Sequence, residues 1–178
     1  MKLNKVTLKR HLKQMNQEQL AELVVECFGI HKDVERFVSV KLLGQEAAEA
    51  LFPEYRKKVV DQFFPERGYG KLKLKEAKKA IHDFNKLTGD SKRALELKFV
   101  YVENGIEFTR AYGDIDERFY NSVESVFSDI VREINDSDSE ELFKQYEERI
   151  HNILERSAGT GWGFNESLYD AYSELSWV

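Results

Sequence analysis

From Leu8 to Leu175, apolar side chains recur every three or four positions, and this period constrains the chain more than any other feature. Such spacing returns to one face of an α-helix, whereas a half-buried strand alternates. Only two prolines, Pro53 and Pro65, interrupt the pattern, so long stretches are free to remain helical. The expectation is an all-α fold, an irregular helical bundle or array of about nine helices, forming a single domain over residues 1–178.

Stop and start signals divide the pattern. Thr7 reads as the N-cap of a short helix reaching Met15. Asn16 and Gln19 form a capping box, each side chain able to satisfy the other's free backbone N–H. The helix they open carries Leu20, Leu23, Val24, Cys27 and Phe28 and stops at Gly29; another runs from Asp33 to Leu43, ended by Gly44. Pro53 suits a first helical turn better than a helix interior, so a break is expected at Phe52. Pro65 to Lys71 is the clearest loop. A basic amphipathic helix follows over Lys75–Leu87, with Gly89 as C-cap and Asp90 or Ser91 as the next N-cap. Ser91 to Tyr112 has an apolar face wide enough for a central helix, in which Gly105 marks a kink or a close crossing. Within it, Phe99 to Val102 is the best strand candidate, but no matching run lies nearby. Asp116 caps a helix to Ile134, Ser137 and Glu140 read as a second capping box, and Glu141–Arg156 and Asn165 to about Leu175 complete the series.

Composition removes several function classes. The net charge of −5 argues against a general nucleic-acid or anionic-membrane binder, which needs a basic surface. One cysteine, Cys27, permits no intrachain disulfide and no cysteine zinc cluster, and on its apolar face it reads as a small core residue. The four histidines are scattered beyond a shared helix turn. With neither a leader-like segment nor a bilayer-length apolar run, the expected location is the cytoplasm, without membrane attachment.

Three stretches carry a resemblance: Phe63-Phe64-Pro65-Glu66-Arg67-Gly68-Tyr69-Gly70-Lys71, Glu107 through Asp116, and Gly161-Trp162-Gly163-Phe164. Together they resemble an uncharacterised bacterial protein family, a domain of unknown function, over nearly the whole chain. The resemblance implies a bacterial cytoplasmic protein with no established activity, so it brings no functional residues with it.

Three places invite a chemical reading. Glycines in the loop Glu66–Lys73 would let backbone N–H groups approach a phosphate that Arg67, Lys71 and Lys73 neutralise, while Tyr69 stacks on a base. Between 56 and 98 there are 13 basic residues to 6 acidic, an asymmetry that can mark an interaction face extending over Lys78 and Lys79. The plainer reading is a solvated loop beside a helix with lysines outward; the Gly-Lys-Ser/Thr ending of a phosphate loop is missing. Glu103 and Glu107 share a helix face, and with Asp114, Asp116 and Glu117 nearby they could hold a divalent cation. Residues 114–156 hold 13 acids against 5 bases, however, so neighbouring carboxylates arise there by chance, and turns and caps explain both aspartates. Gly159–Phe164 lacks dinucleotide-loop spacing; it reads as a tight connector in which Trp162 and Phe164 pin the last helix, or as an exposed binding anchor at Trp162.

The leading expectation is a non-enzymatic helical interaction domain, with Arg67, Tyr69, Lys71, Lys73, Lys78, Lys79 and Trp162 as candidate partner-binding residues. Its partner would be another protein or a second copy of the chain. A nucleic-acid or phosphate binder using the 66–73 loop is the alternative, and a carboxylate-metal enzyme the third. No cofactor is expected, and no residue is singled out as catalytic or as a metal ligand.

Overall fold

A computed structural model describes residues 3–178. Among them are nine α-helices and no strand: α1 Lys5–Leu12, α2 Gln17–Ile30, α3 Lys32–Leu43, α4 Gln45–Val60, α5 Leu74–Thr88, α6 Ser91–Tyr112, α7 Glu117–Asp136, α8 Glu140–Arg156 and α9 Phe164–Tyr172. The all-α expectation holds. The chain divides into two compact units, Met1–Ala48 and Glu49–Val178.

In the smaller unit, α2 and α3 pack on each other. Among the described residues here only Val40, Ala47 and Ala48 are buried. Cys27 is half-buried, not a core residue, because α2 buries no side chain fully. The Asn16–Gln19 capping box forms as read, with N–H···O bonds of 2.9 and 3.0 Å. At α1 the cap is Asn4 rather than Thr7: Thr7 is the third helical residue and completes a box with Asn4. Gly44 ends α3 at a φ of 57°, a conformation costly to residues bearing a Cβ.

In the larger unit α6 is central, packing against α5, α7 and α8, while α9 rests on α7 and α8. Phe99, Val100, Tyr101 and Val102 are all buried within it. The apparent strand is therefore the part of α6 enclosed on every side, where unbroken apolar sequence is required. Gly105 marks a crossing: a Cβ there would lie 2.7 Å from a methyl of Val123, so α6 and α7 approach through the missing side chain. Asp90 and Asp116 cap α6 and α7 as expected, and Gly89 closes α5 in the left-handed region.

Two local readings are corrected. Pro53 does not begin a helix, because α4 runs unbroken through it. A proline inside a helix removes one hydrogen bond and costs about 3 kcal/mol. Here both sides of the proline are held by the core: Phe52 and Tyr55 meet the edge of Phe84, at centroid distances of 6.0 and 5.4 Å. Packing outweighs the local penalty. The second capping box is also displaced. Because α7 continues to Asp136, Ser137 falls at its C-cap and donates to the Ile134 carbonyl at 2.6 Å, leaving Ser139 to cap α8.

Candidate interaction surfaces

The loop after α4 is built by a return of the chain on itself. Phe63 is buried among Tyr101, Phe108 and Phe119, and the Leu72 N–H donates to the Gln62 carbonyl at 2.9 Å. Gly70 lies against this turn, where a Cβ would stand only 2.1 Å from the Phe63 carbonyl oxygen. Its role is close packing, which accounts for the glycine without a phosphate. Arg67, Tyr69 and Lys71 are exposed on the loop, Tyr69 at 85%. Lys73 pairs with Glu76 at 2.9 Å, and Lys79 pairs with Asp83 one turn on.

Two of the candidate residues, Lys73 and Lys78, share one feature. They line a groove of about 710 Å³ between the start of α5 and α7, with Leu72, Leu74, Lys75 and Arg118. Leu72 and Leu74 are partly buried against the core and give the groove its apolar surface. Among the described residues Lys75, Lys78 and Arg118 form no ion pair, so their charge is available at its edge. Arg118 was not among the sequence candidates: it lies in the acidic segment, and only tertiary packing carries it to α5.

Two of the carboxylates read as possible metal ligands, Glu103 and Glu107, are engaged by arginines of α8. Arg149 donates to Glu103 through two nitrogens, one at 2.9 Å, and to Glu96 at 2.6 Å; the Tyr146 hydroxyl donates to Glu96 at 2.7 Å. Burial works against the Arg149 charge, but bonds to Glu103 and then Glu96 outweigh it and raise its pKa. Arg156 donates to Glu107 at 2.7 Å. Among the described residues no group of three potential ligands is placed to hold a metal ion. These pairs line a groove of about 440 Å³ together with Ile106, Asn152 and Ile153.

The three stretches carrying the resemblance converge at one end of the larger unit. Phe64 stacks on Tyr112 at 6.3 Å, Tyr120 packs on Phe164 at 5.0 Å, and Asp114 accepts from the Gly161 N–H at 2.9 Å and the Tyr120 hydroxyl at 2.6 Å. Phe164 is buried and pins α9, as expected. Trp162 does not share that work. It is 63% exposed at a φ of 64°, so the ring stands outside the core on a backbone that tryptophan rarely adopts. Among the described residues no ring contact joins Tyr69, Tyr112 and Trp162.

The bond from Tyr120, then that from Gly161, holds the Asp114 carboxyl below its ordinary pKa. A depressed carboxyl stabilises the fold above its unfolded value of 3.8, and that contribution is lost as pH falls through the folded value. Acid should therefore release the 159–163 loop from Asp114. In a Trp177→Phe variant, which leaves Trp162 as sole tryptophan, fluorescence should change in a step below pH 3.8. Adding Asp114→Asn should abolish that step, while circular dichroism reports global unfolding separately; an identical step in both variants would contradict the assignment.

No curated protein and no solved structure matches the chain. A family model does: residues 3–175 match a family of unknown function, DUF6155, and the chain belongs to that family.

Proposed function

We propose that this chain is a non-enzymatic protein-interaction domain that receives an acidic amphipathic segment of a partner protein in the groove between α5 and α7. The observation that carries the reading is the pairing of an apolar surface, Leu72 and Leu74, with the unpaired cations Lys75, Lys78 and Arg118 at its edge. Apolar side chains of a bound segment would supply affinity there, and its carboxylates would fix orientation and exclude basic partners. Residues 1–178 are proposed to form a single domain. A cytoplasmic setting is proposed, with which the single cysteine accords, and a bacterial source is proposed from the resemblance alone; among the described residues no helix is long and apolar enough to cross a membrane. Arg67, Tyr69, Lys71 and Trp162 are proposed as outlying contacts.

Selection of a displayed random-peptide library on the immobilised protein tests the reading. Enriched sequences should combine Asp or Glu with Leu or Phe, and a selected peptide should bind roughly tenfold more weakly to the triple variant Lys75→Glu, Lys78→Glu, Arg118→Glu. Lys92→Glu, outside the groove, should bind as wild type does. Enrichment of basic peptides, or equal binding by the triple variant, would refute the proposal.

A further inference from the structure

The smaller unit presents a second surface, made of two unlike stripes. On α1, Lys5 and Lys9 are exposed one turn apart and Lys13, the C-cap, continues the row, with Leu8 and Leu12 alongside. On α2, Glu18, Glu22 and Glu26 are exposed at the same spacing. At about 100° per residue, Val25 and Ile30 border the acidic row on its two sides, and they are 70% and 76% exposed. None of these six charged residues forms an ion pair among the described residues.

Both rows span eight positions, roughly 12 Å at 1.5 Å per residue. Antiparallel alignment sets Lys5 against Glu26, Lys9 against Glu22 and Lys13 against Glu18, and also opposes the two helix dipoles. Within one chain this pairing is not made among the described residues, where no ion pair joins the two rows. The turn between them is fixed by bonds from Gln14 to His11, from Met15 to Leu12, and by the Asn16–Gln19 box.

We propose that the occupant of this surface is a second copy of the same chain: α1 of each copy lies along the acid-edged face of α2 of the other. A two-fold arrangement makes the contact twice, giving six ion pairs and covering Val25 with Leu8. This surface is separate from the α5–α7 groove, so either proposal can fail alone.

Charge exchange across the contact provides the test. By sedimentation equilibrium the wild-type chain should move with concentration from 20.8 kDa toward twice that mass, less so at high salt. Exposed pairs are worth roughly twofold each, so Lys5→Glu/Lys9→Glu/Lys13→Glu should weaken association roughly 50-fold, and Glu18→Lys/Glu22→Lys/Glu26→Lys should do the same. Mixing the two triple variants should restore a dimer containing one of each, because every contact then again joins opposite charges. If a triple variant loses helicity, Lys9→Glu and Glu22→Lys are used singly and then combined in one chain, where the combination should recover association. Wild type at monomer mass throughout, or a mixture no heavier than its parts, would overturn the proposal.

Discussion

Gly70→Ala should lower the stability of the larger unit by about 3 kcal/mol, a large effect for one methyl group on an outer loop. The added carbon would stand 2.1 Å from the Phe63 carbonyl oxygen and 2.8 Å from that of Gln62, and neither backbone atom can rotate away. Room is made in one of two ways. If the loop lifts, the Leu72–Gln62 hydrogen bond breaks and Leu72 leaves the core edge. If the Phe63 backbone yields, a ring only 1% exposed moves against Tyr101, Phe108 and Phe119. Gly68 supplies the control: it lies in open space at a φ of 79°, so alanine there meets only left-handed strain of about 1–2 kcal/mol. Urea unfolding of the two variants checks the difference. A Gly70→Ala midpoint no lower than that of Gly68→Ala would mean that the loop does not pack as described. A glycine kept for a bound phosphate would instead tolerate the methyl group until ligand was added.

That glycine shows where sequence reasoning reaches its end. Helix-forming period and caps are local, so Asn16, Asp90, Asp116 and Gly89 can be read from a few neighbouring letters, and about nine helices are expected from them. Pro53 was misplaced for a related reason: its penalty is local, but the grip of Phe52 and Tyr55 on Phe84 comes from a residue about thirty positions later. The glycines at 70 and 105 carried a local signal of unusual backbone, while the atoms that exclude a side chain belong to Phe63 and Val123.

The candidate surfaces divide along the same line. Lys73 and Lys78 were legible because a basic run is contiguous in sequence; Arg118, which faces them across the groove, was not. Glu103 and Glu107 do share a helix face, as their spacing requires. What that face meets are Arg149 and Arg156, 46 and 49 residues away, so a pattern compatible with cation binding is satisfied by ion pairs between α6 and α8. The acidic and basic rows of α2 and α1 are periodic and equally visible in the letters. Their meaning emerges only once the fold leaves both exposed and unpaired.

Raising the pH should destabilise the larger unit steeply between about pH 10 and 12, because its core encloses tyrosine hydroxyls that must ionise on exposure. Burial pushes Tyr101 up to about 12 against an ordinary 10.0, and a bond with Ser122 only partly offsets this. Burial, together with the adjacent Asp114 carboxylate, pushes Tyr120 up to about 12 as well. Tyr146 is also raised, by burial first and then by its bond to Glu96. For a group whose folded pKa lies above its unfolded one, the stabilisation is complete below the unfolded value and disappears as pH rises through the folded value. At 1.36 kcal/mol per pKa unit, Tyr101 alone contributes about 2 kcal/mol of loss by pH 12, with Tyr120 and Tyr146 acting in the same direction. Urea midpoints measured from about pH 8 to 12 should therefore hold steady and then fall steeply, with tyrosinate absorbance rising as the helices melt. Tyr101→Phe is less stable at neutral pH for want of the Ser122 bond, yet it should lose about 2 kcal/mol less than wild type between about pH 8 and 12. Parallel curves for the two proteins would show that Tyr101 ionises without unfolding, which a hydroxyl sealed beneath α7 cannot do.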